Sequence, residues 1–170
     1  MAAWIKGMLL LAGMEIGAGW LLVNLGWRFI GKTTWLQDQI LLSTIPNAMK
    51  NSIWQAVSNT LENALWGVVA TAGLFAFFWL IFSSRASVYG PGVAAEHRKW
   101  WFSLFVAGLA ASLGVVWFLT LGITEQIEAL SKTWITAAVP LVFWIFFHLL
   151  GALLPPPPHM RPSVPLASWR

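Results

Sequence analysis

The chain has 170 residues, 58% of them hydrophobic and only 9% charged, with ten Lys and Arg against six Asp and Glu for a net charge of +4. An ordinary soluble domain carries roughly 25% charged residues, so this composition excludes a water-soluble globular protein and points to a membrane protein. With no cysteine, disulfides, thiolate metal sites and cysteine nucleophiles are excluded as well.

Four apolar stretches, 8–27, 65–82, 101–123 and 134–154, contain a single formally charged side chain, Glu15. A hydrocarbon core about 30 Å thick needs roughly 20 helical residues at about 1.5 Å rise each, so each stretch is long enough to cross. The expected fold is all-α: a polytopic four-transmembrane-helix bundle in one domain over 1–154, with an outer interfacial amphipathic helix and a proline-rich tail over 155–170.

The first stretch follows Lys6 and begins like a secretion signal. Glu15 breaks its apolar run after seven residues, no small-residue cleavage site follows, and hydrophobicity resumes to Trp27. It therefore reads as an uncleaved span. Gly13 and Gly17 form a small-xxx-small pattern that lets another helix approach closely. Beyond this span, Leu42, Ile45, Met49, Ile53, Val57, Leu61 and Leu65 recur at three- and four-residue steps, while Asn47, Lys50, Asn51, Asn59 and Glu62 mostly occupy other faces. This spacing predicts an amphipathic helix over 46–64, opened by Pro46, with Trp54 as its anchor. Nothing between it and Phe82 stops a helix. Lying flat at the outer interface is the placement expected, with docking on a partner protein as the alternative.

The segment 83–99 carries Tyr89-Gly90-Pro91-Gly92, a turn signal, and then His97-Arg98-Lys99. With Arg85 these form a basic loop suited to anionic lipid headgroups or to a cytosolic partner. The patch is too small for nucleic-acid binding. In the third span Gly108, Ala111 and Ser112, with Ala107 and Gly114, make a second light face, which makes spans one and three expected neighbours. Residues 124–128 read as a short helical acidic connector, and Pro140 is expected to kink span four near Trp144. The prolines 155–158 end that span and begin an extended polyproline II tail that reads as a spacer.

Thirteen tryptophans support these boundaries, because indole favours the headgroup level. Trp54, Trp66, Trp79, Trp100, Trp101 and Trp134 are the expected interface anchors. Orientation follows from the charges. On one side, 1–7, 83–100 and 155–170 carry six cations and one acid, net +5; on the other, 28–64 and 124–133 carry four of each, net zero. Positive segments stay cytoplasmic, so both termini are expected inside an inner (cytoplasmic) membrane.

Glu15 and His148 form the expected intramembrane polar pair. Each lies about 10 Å deep from the cytoplasmic end of its span, by helical rise. An acid and an imidazole at one depth can share a proton, or simply hold helices one and four together by a hydrogen bond. Serine chemistry lacks a second spanning histidine around Ser103 and Ser112, and aspartyl chemistry lacks its aspartates. His97 and His159 are too far apart in sequence to suggest a metal site. No cofactor, metal or catalytic residue is expected.

A span, a long outer segment, a second span, a basic Gly-containing loop ending in His97-Arg98-Lys99, and a closing hairpin: over its whole length this layout resembles the topology of small inner-membrane proteins of conjugative and secretion systems. The function expected is that of a non-catalytic subunit or assembly factor of a larger inner-membrane complex. Lipid and other membrane proteins, or further copies of the chain, are its expected neighbours. A small transporter or proton-conducting protein using Glu15 and His148 is the alternative.

Overall fold

A computed structural model describes residues 9, 12–14, 16–31, 33–85 and 93–150. Among them the regular structure is helical, apart from one isolated antiparallel bridge between Leu41 and Ile127. The first helix, α1, covers 16–30 and is π-helical over Leu21–Trp27. Within it the Asn24 side-chain amide donates to the Trp20 carbonyl at 3.1 Å, the acceptor that an α-helix reserves for the Asn24 backbone N–H. Such competition at the i−4 carbonyl favours the wider π turn.

Gly31 ends α1. Its N–H donates to the Trp27 carbonyl, and a Cβ at this position would stand 2.8 Å from that same oxygen, so only glycine closes the turn without strain. Helix α2 is Thr34–Ile40 and leads to the extended Leu41. Helix α3 runs unbroken from Asn47 to Arg85, 39 residues or about 58 Å. Helix α4 is Val93–Thr120, prolonged by a 3-10 turn over Leu121–Ile123, and α5 is Ala129–Trp144, passing Pro140 and continuing as π-helix over Ile145–Leu150.

Three helical stretches are long and apolar enough to cross a membrane: Asn47–Trp79, Lys99–Ile123 and Ala129–Phe147. They leave Leu74, Phe102, Phe118 and Leu141 exposed, as an apolar solvent permits. The remaining expected span, 8–27, lies partly outside the described residues.

Two apolar clusters hold these helices. The larger joins Val68, Ala72 and Ala76 of α3 to Val116 of α4 and to Val139, Phe143 and Phe147 of α5 and its π-helical continuation, with Met14 and with Ala18 and Leu22 of α1 packed against it. Ala64, Val68, Ala72 and Ala76 recur every four residues, which makes a shallow seam along α3 where neighbours come close. A Cβ at Gly67 would stand 2.6 Å from Val115 Cγ1, and one at Gly108 would stand 2.5 Å from Phe143 Cζ. Near the start of the α4 span and the end of α5, Trp101, Phe105, Phe143 and Phe147 form a cluster with ring centroids 5.4–5.9 Å apart, stacked in two pairs and tilted in the others, favourable aromatic geometry.

The second cluster corrects three expectations. Val57 and Leu61, on the stripe predicted over 46–64, are buried against Ile40, Leu41, Ile123 and Ile127, with Ile45, Ile53 and Trp54 packed around them. The amphipathic segment is therefore not a separate helix lying on the bilayer. It is the N-terminal half of α3, continuous with the apolar run 65–82, and its stripe from Ile53 to Leu61 is covered by the chain itself, while Met49 stays exposed. An unbroken helix cannot lie flat in the interface while its continuation crosses. Residues 124–128 are not helical either: Leu42 N–H donates to the Gln126 carbonyl at 3.1 Å and Glu128 N–H to the Ile40 carbonyl at 2.9 Å, and pairing with 40–42 draws the connector out. His97-Arg98-Lys99, expected in a loop, belong to the first turns of α4, since no helix-breaking residue separates them from the span.

Candidate functional site

The N-terminal half of α3 gathers a set of polar side chains from α1 and α2. After the Gly31 turn, α2 returns antiparallel along this half of α3, so that pairs form in register. The Arg28 guanidinium reaches Glu62 Oε1 at 3.3 Å, the Trp54 indole N–H donates to the Gly31 carbonyl at 2.9 Å, Gln37 Nε2 donates to Asn51 Oδ1 at 3.3 Å, and Lys50 Nζ reaches Asp38 Oδ1 at 3.0 Å. Two further bonds tie this cap to the first turn of α5 and to the connector before it: Ser131 Oγ donates to the Gln39 carbonyl at 2.8 Å, and Ser43 N–H to Glu128 Oε1 at 2.9 Å.

Between α1, α2 and α3 lies an open polar groove of about 680 Å³. Its walls carry the Arg28–Glu62 pair and the side chains of Gln37, Asn51, Gln55 and Asn59, with Trp27 and Trp54 at the edges. Beside it, a half-open apolar pocket of about 140 Å³ is lined by Leu61, Ala64, Leu65 and Val68 of α3, Val116 of α4 and Val139 of α5. Trp27 borders both. Its indole N–H is buried and meets no acceptor among the described residues, an arrangement that costs about 1–3 kcal/mol. A Cβ built on Gly31 would lie 3.6 Å from Trp27 Cε2 and 3.4 Å from Ser58 Oγ, so the pyrrole side of the ring is beside groove-lining residues.

The residues expected to carry function have varied positions. Glu15 lies outside the described residues, and of His148 only the backbone is described, in the closing π-helical turn. Their chain neighbours Met14 and Phe147 belong to one apolar cluster. Arg85, His97 and Arg98 are placed by backbone alone, at the end of α3 and the start of α4, and Lys99 is exposed. Gly108 lies against Phe75 of α3 and Phe143 of α5, not against α1, while Ala111 is half-buried. Ser112 is fully buried, its hydroxyl without a partner among the described residues. Among the described residues Gly13 and Gly17 approach no other helix: a Cβ at either would meet nothing within 4 Å. The close approach of α1 is made instead by Gly19, where a Cβ would stand 2.9 Å from Trp66 Cζ3 and Val69 Cγ1, so this approach joins α1 to α3.

The tryptophans divide into two groups. Trp134 and Trp100 are exposed, as anchors require, together with Trp35 and Trp117. Trp79 is buried, Trp66 packs on Gly19, Trp101 stacks on Phe105, and Trp54 is bonded to Gly31. These four hold the protein together rather than mark its boundary with lipid.

The groove is not legible in the sequence. Asn51, Asn59 and Glu62 form the polar face of a helix, which ordinarily means a face turned to water. Arg28 and Glu62 are 34 positions apart, and only the fold of α1 and α2 onto α3 brings them together. The i, i+4, i+8 spacing of Asn51, Gln55 and Asn59 is the available signal. No family model, curated protein or solved structure matches this chain.

Proposed function

We propose that the protein is a non-catalytic integral membrane subunit or assembly factor of a larger inner-membrane complex, of the conjugative or secretion kind that its layout resembles. In this reading α1 completes a four-span bundle, both ends of the sequence face the cytoplasm, and the cap built on the outer half of α3 stands on the other side. The observation that carries it is the length of α3. Its apolar run, 65–82, is about 27 Å by helical rise, while the whole helix is 39 residues. The remainder on the outer side is a post braced by α2 and by the α4–α5 connector. A post stiffened from two sides, with its charges already paired within the chain, suits a docking element whose shape does not change. Exposed Trp35 and Met49 on the cap offer the large apolar side chains on which interface energy concentrates.

Gentle solubilisation followed by identification of stoichiometric companions tests this, alongside Trp35→Ser and Met49→Ser. A companion held at fixed ratio and lost from the variants is the expected result. A solitary chain under conditions that preserve known complexes of the same membrane overturns the reading. The orientation is tested by single cysteines, conveniently in a cysteine-free chain: impermeant labels should reach Asn51→Cys and Glu128→Cys from outside and Ser87→Cys only after permeabilisation.

A second reading, a small transporter or proton conductor using Glu15 and His148, is favoured by the shared cluster of Met14 and Phe147. Spin labels at 15 and 148 separated by far more than the roughly 8–10 Å between packed helix axes would end it.

A further inference from the structure

The geometry points to the polar groove and the apolar cavity beside it as one binding site for a zwitterionic phospholipid carrying a primary ammonium, with the headgroup in the groove and the start of an acyl chain in the cavity. The inference rests on the membrane placement proposed above, not on the presence of a partner complex.

Depth is the first argument. Glu62 lies one turn before Leu65, where the apolar run of α3 begins, so the Arg28–Glu62 pair stands where headgroups are found. Ala64, Leu65 and Val68 of the cavity wall stand where the outer ends of acyl chains are. Polar groove and apolar cavity thus follow each other in the order of an amphiphile, with Trp27 bordering both, a position that suits an apolar ring bearing one N–H.

Charge is the second. Arg28 and Glu62 are 3.3 Å apart on the groove wall, with 58% and 21% of their side chains exposed. Adjacent opposite charges complement a headgroup that itself carries both: the guanidinium takes the phosphate oxygens and the carboxylate takes the ammonium. An anionic headgroup would meet Glu62 as a repulsive neighbour. A neutral sugar would offer neither charge a partner beyond the pair they already form.

Hydrogen-bonding capacity is the third. Asn51, Gln55 and Asn59 offer carbonyl acceptors to an ammonium and amide donors to ester oxygens, and the buried Trp27 N–H, without an acceptor among the described residues, is a donor that an ester carbonyl entering beside Ser58 would satisfy. The cavity, at about 140 Å³, is close to the size that accommodates a benzene-sized apolar group, enough for the first methylenes of a chain. The other wet cavity, lined by Lys132, Thr120, Thr124 and Thr136, is a poorer candidate, because all three hydroxyls already donate to backbone carbonyls.

Native mass spectrometry of the purified full chain in mild detergent, with equal amounts of phosphatidylethanolamine, phosphatidylglycerol and diglucosyl diacylglycerol of matched chains, tests the assignment. The expected result is preferential retention of phosphatidylethanolamine. In Glu62→Gln that preference over phosphatidylglycerol should fall by roughly tenfold, the worth of one charge-assisted hydrogen bond, with total phosphatidylglycerol retained. Ala64→Phe, which fills the cavity, should lower retention of all three lipids. Arg28→Lys, which keeps the charge, should preserve the preference and so separates loss of the site from loss of the fold. Equal retention of the three lipids by the wild-type chain, a preference for the glycolipid, or an unchanged preference in Glu62→Gln would each overturn the inference. The assay reads the chain alone, so absence of a companion subunit does not alter its outcome.

Discussion

Helix α3 serves two cores built on different terms. In the span its neighbours come close over small residues, Gly67, Ala72 and Ala76, and against an aromatic stack from α4 and α5. The hydroxyl bonds described there run from a residue to the carbonyl one turn earlier in the same helix, as Thr71 to Gly67 and Thr120 to Val116. In the cap, beside bonds of that kind such as Thr60 to Ala56, other side-chain bonds cross between elements: Trp54 to Gly31, Gln37 to Asn51, Ser131 to Gln39. Lipid tails are as apolar as leucine, so helices there associate through close packing rather than through escape from water. Around the cap, water supplies a hydrophobic drive for Val57 and Leu61, and cross-element bonds set the register of short pieces that packing alone would leave loose. One helix can thus cross from one regime to the other without a break.

The comparison can be tested by weakening each core in turn. The largest effect is expected from Phe143→Ala, at a fully buried ring that contacts Phe105, Phe147 and Gly108: a loss of about 3–5 kcal/mol, read by steric trapping in bicelles. Leu61→Ala in the cap should cost less, about 2 kcal/mol, because Leu61 already borders a cavity and gives up fewer contacts. Its signature should be local, with faster hydrogen exchange over 34–42 and 121–128 and unchanged exchange over 104–116. Equal acceleration in both regions would show one cooperative unit and erase the distinction between two cores.

Trp54→Phe keeps an aromatic ring but removes the N–H and the pyrrole half of the indole, so at least about 1 kcal/mol should be lost with exchange at the Gly31 turn rising first. A lipid anchor would behave differently, changing membrane partition and not the turn. The smallest effect belongs to Lys50 and Asp38, a pair at 3.0 Å with 24% and 60% of their side chains exposed. A double-mutant cycle should return under about 1 kcal/mol, shrinking further at high salt. A larger value would place this pair in the structural core of the cap.

Much of the architecture is readable from residue order. The spans at 65–82, 101–123 and 134–154 coincide largely with stretches of helix long and apolar enough to cross, because hydropathy over some twenty residues is a sum that no tertiary contact alters. The stripe through Ile53, Val57 and Leu61 is equally plain, since helical periodicity is local. What covers a stripe is not. Lipid, a partner and the chain's own Leu41 and Ile127 all present an apolar surface to it, and periodicity does not distinguish them.

The glycines show the same division. A small-xxx-small spacing at Gly13 and Gly17 points to a close approach, yet the contact falls at Gly19, because the rotation of α1 against α3 is a property of both helices. Composition and the length of apolar runs were sufficient to give helices long and apolar enough to cross a membrane, and helical periodicity the amphipathic start of α3, because these depend on short-range sums along the chain. Only the tertiary structure decided that the stripe is a core, that four of the tryptophans are packing residues, and that Arg28 meets Glu62 across a groove, because each depends on which distant segment the chain returns to, and the Gly31 turn and the 40–42 pairing with 126–128 set that return.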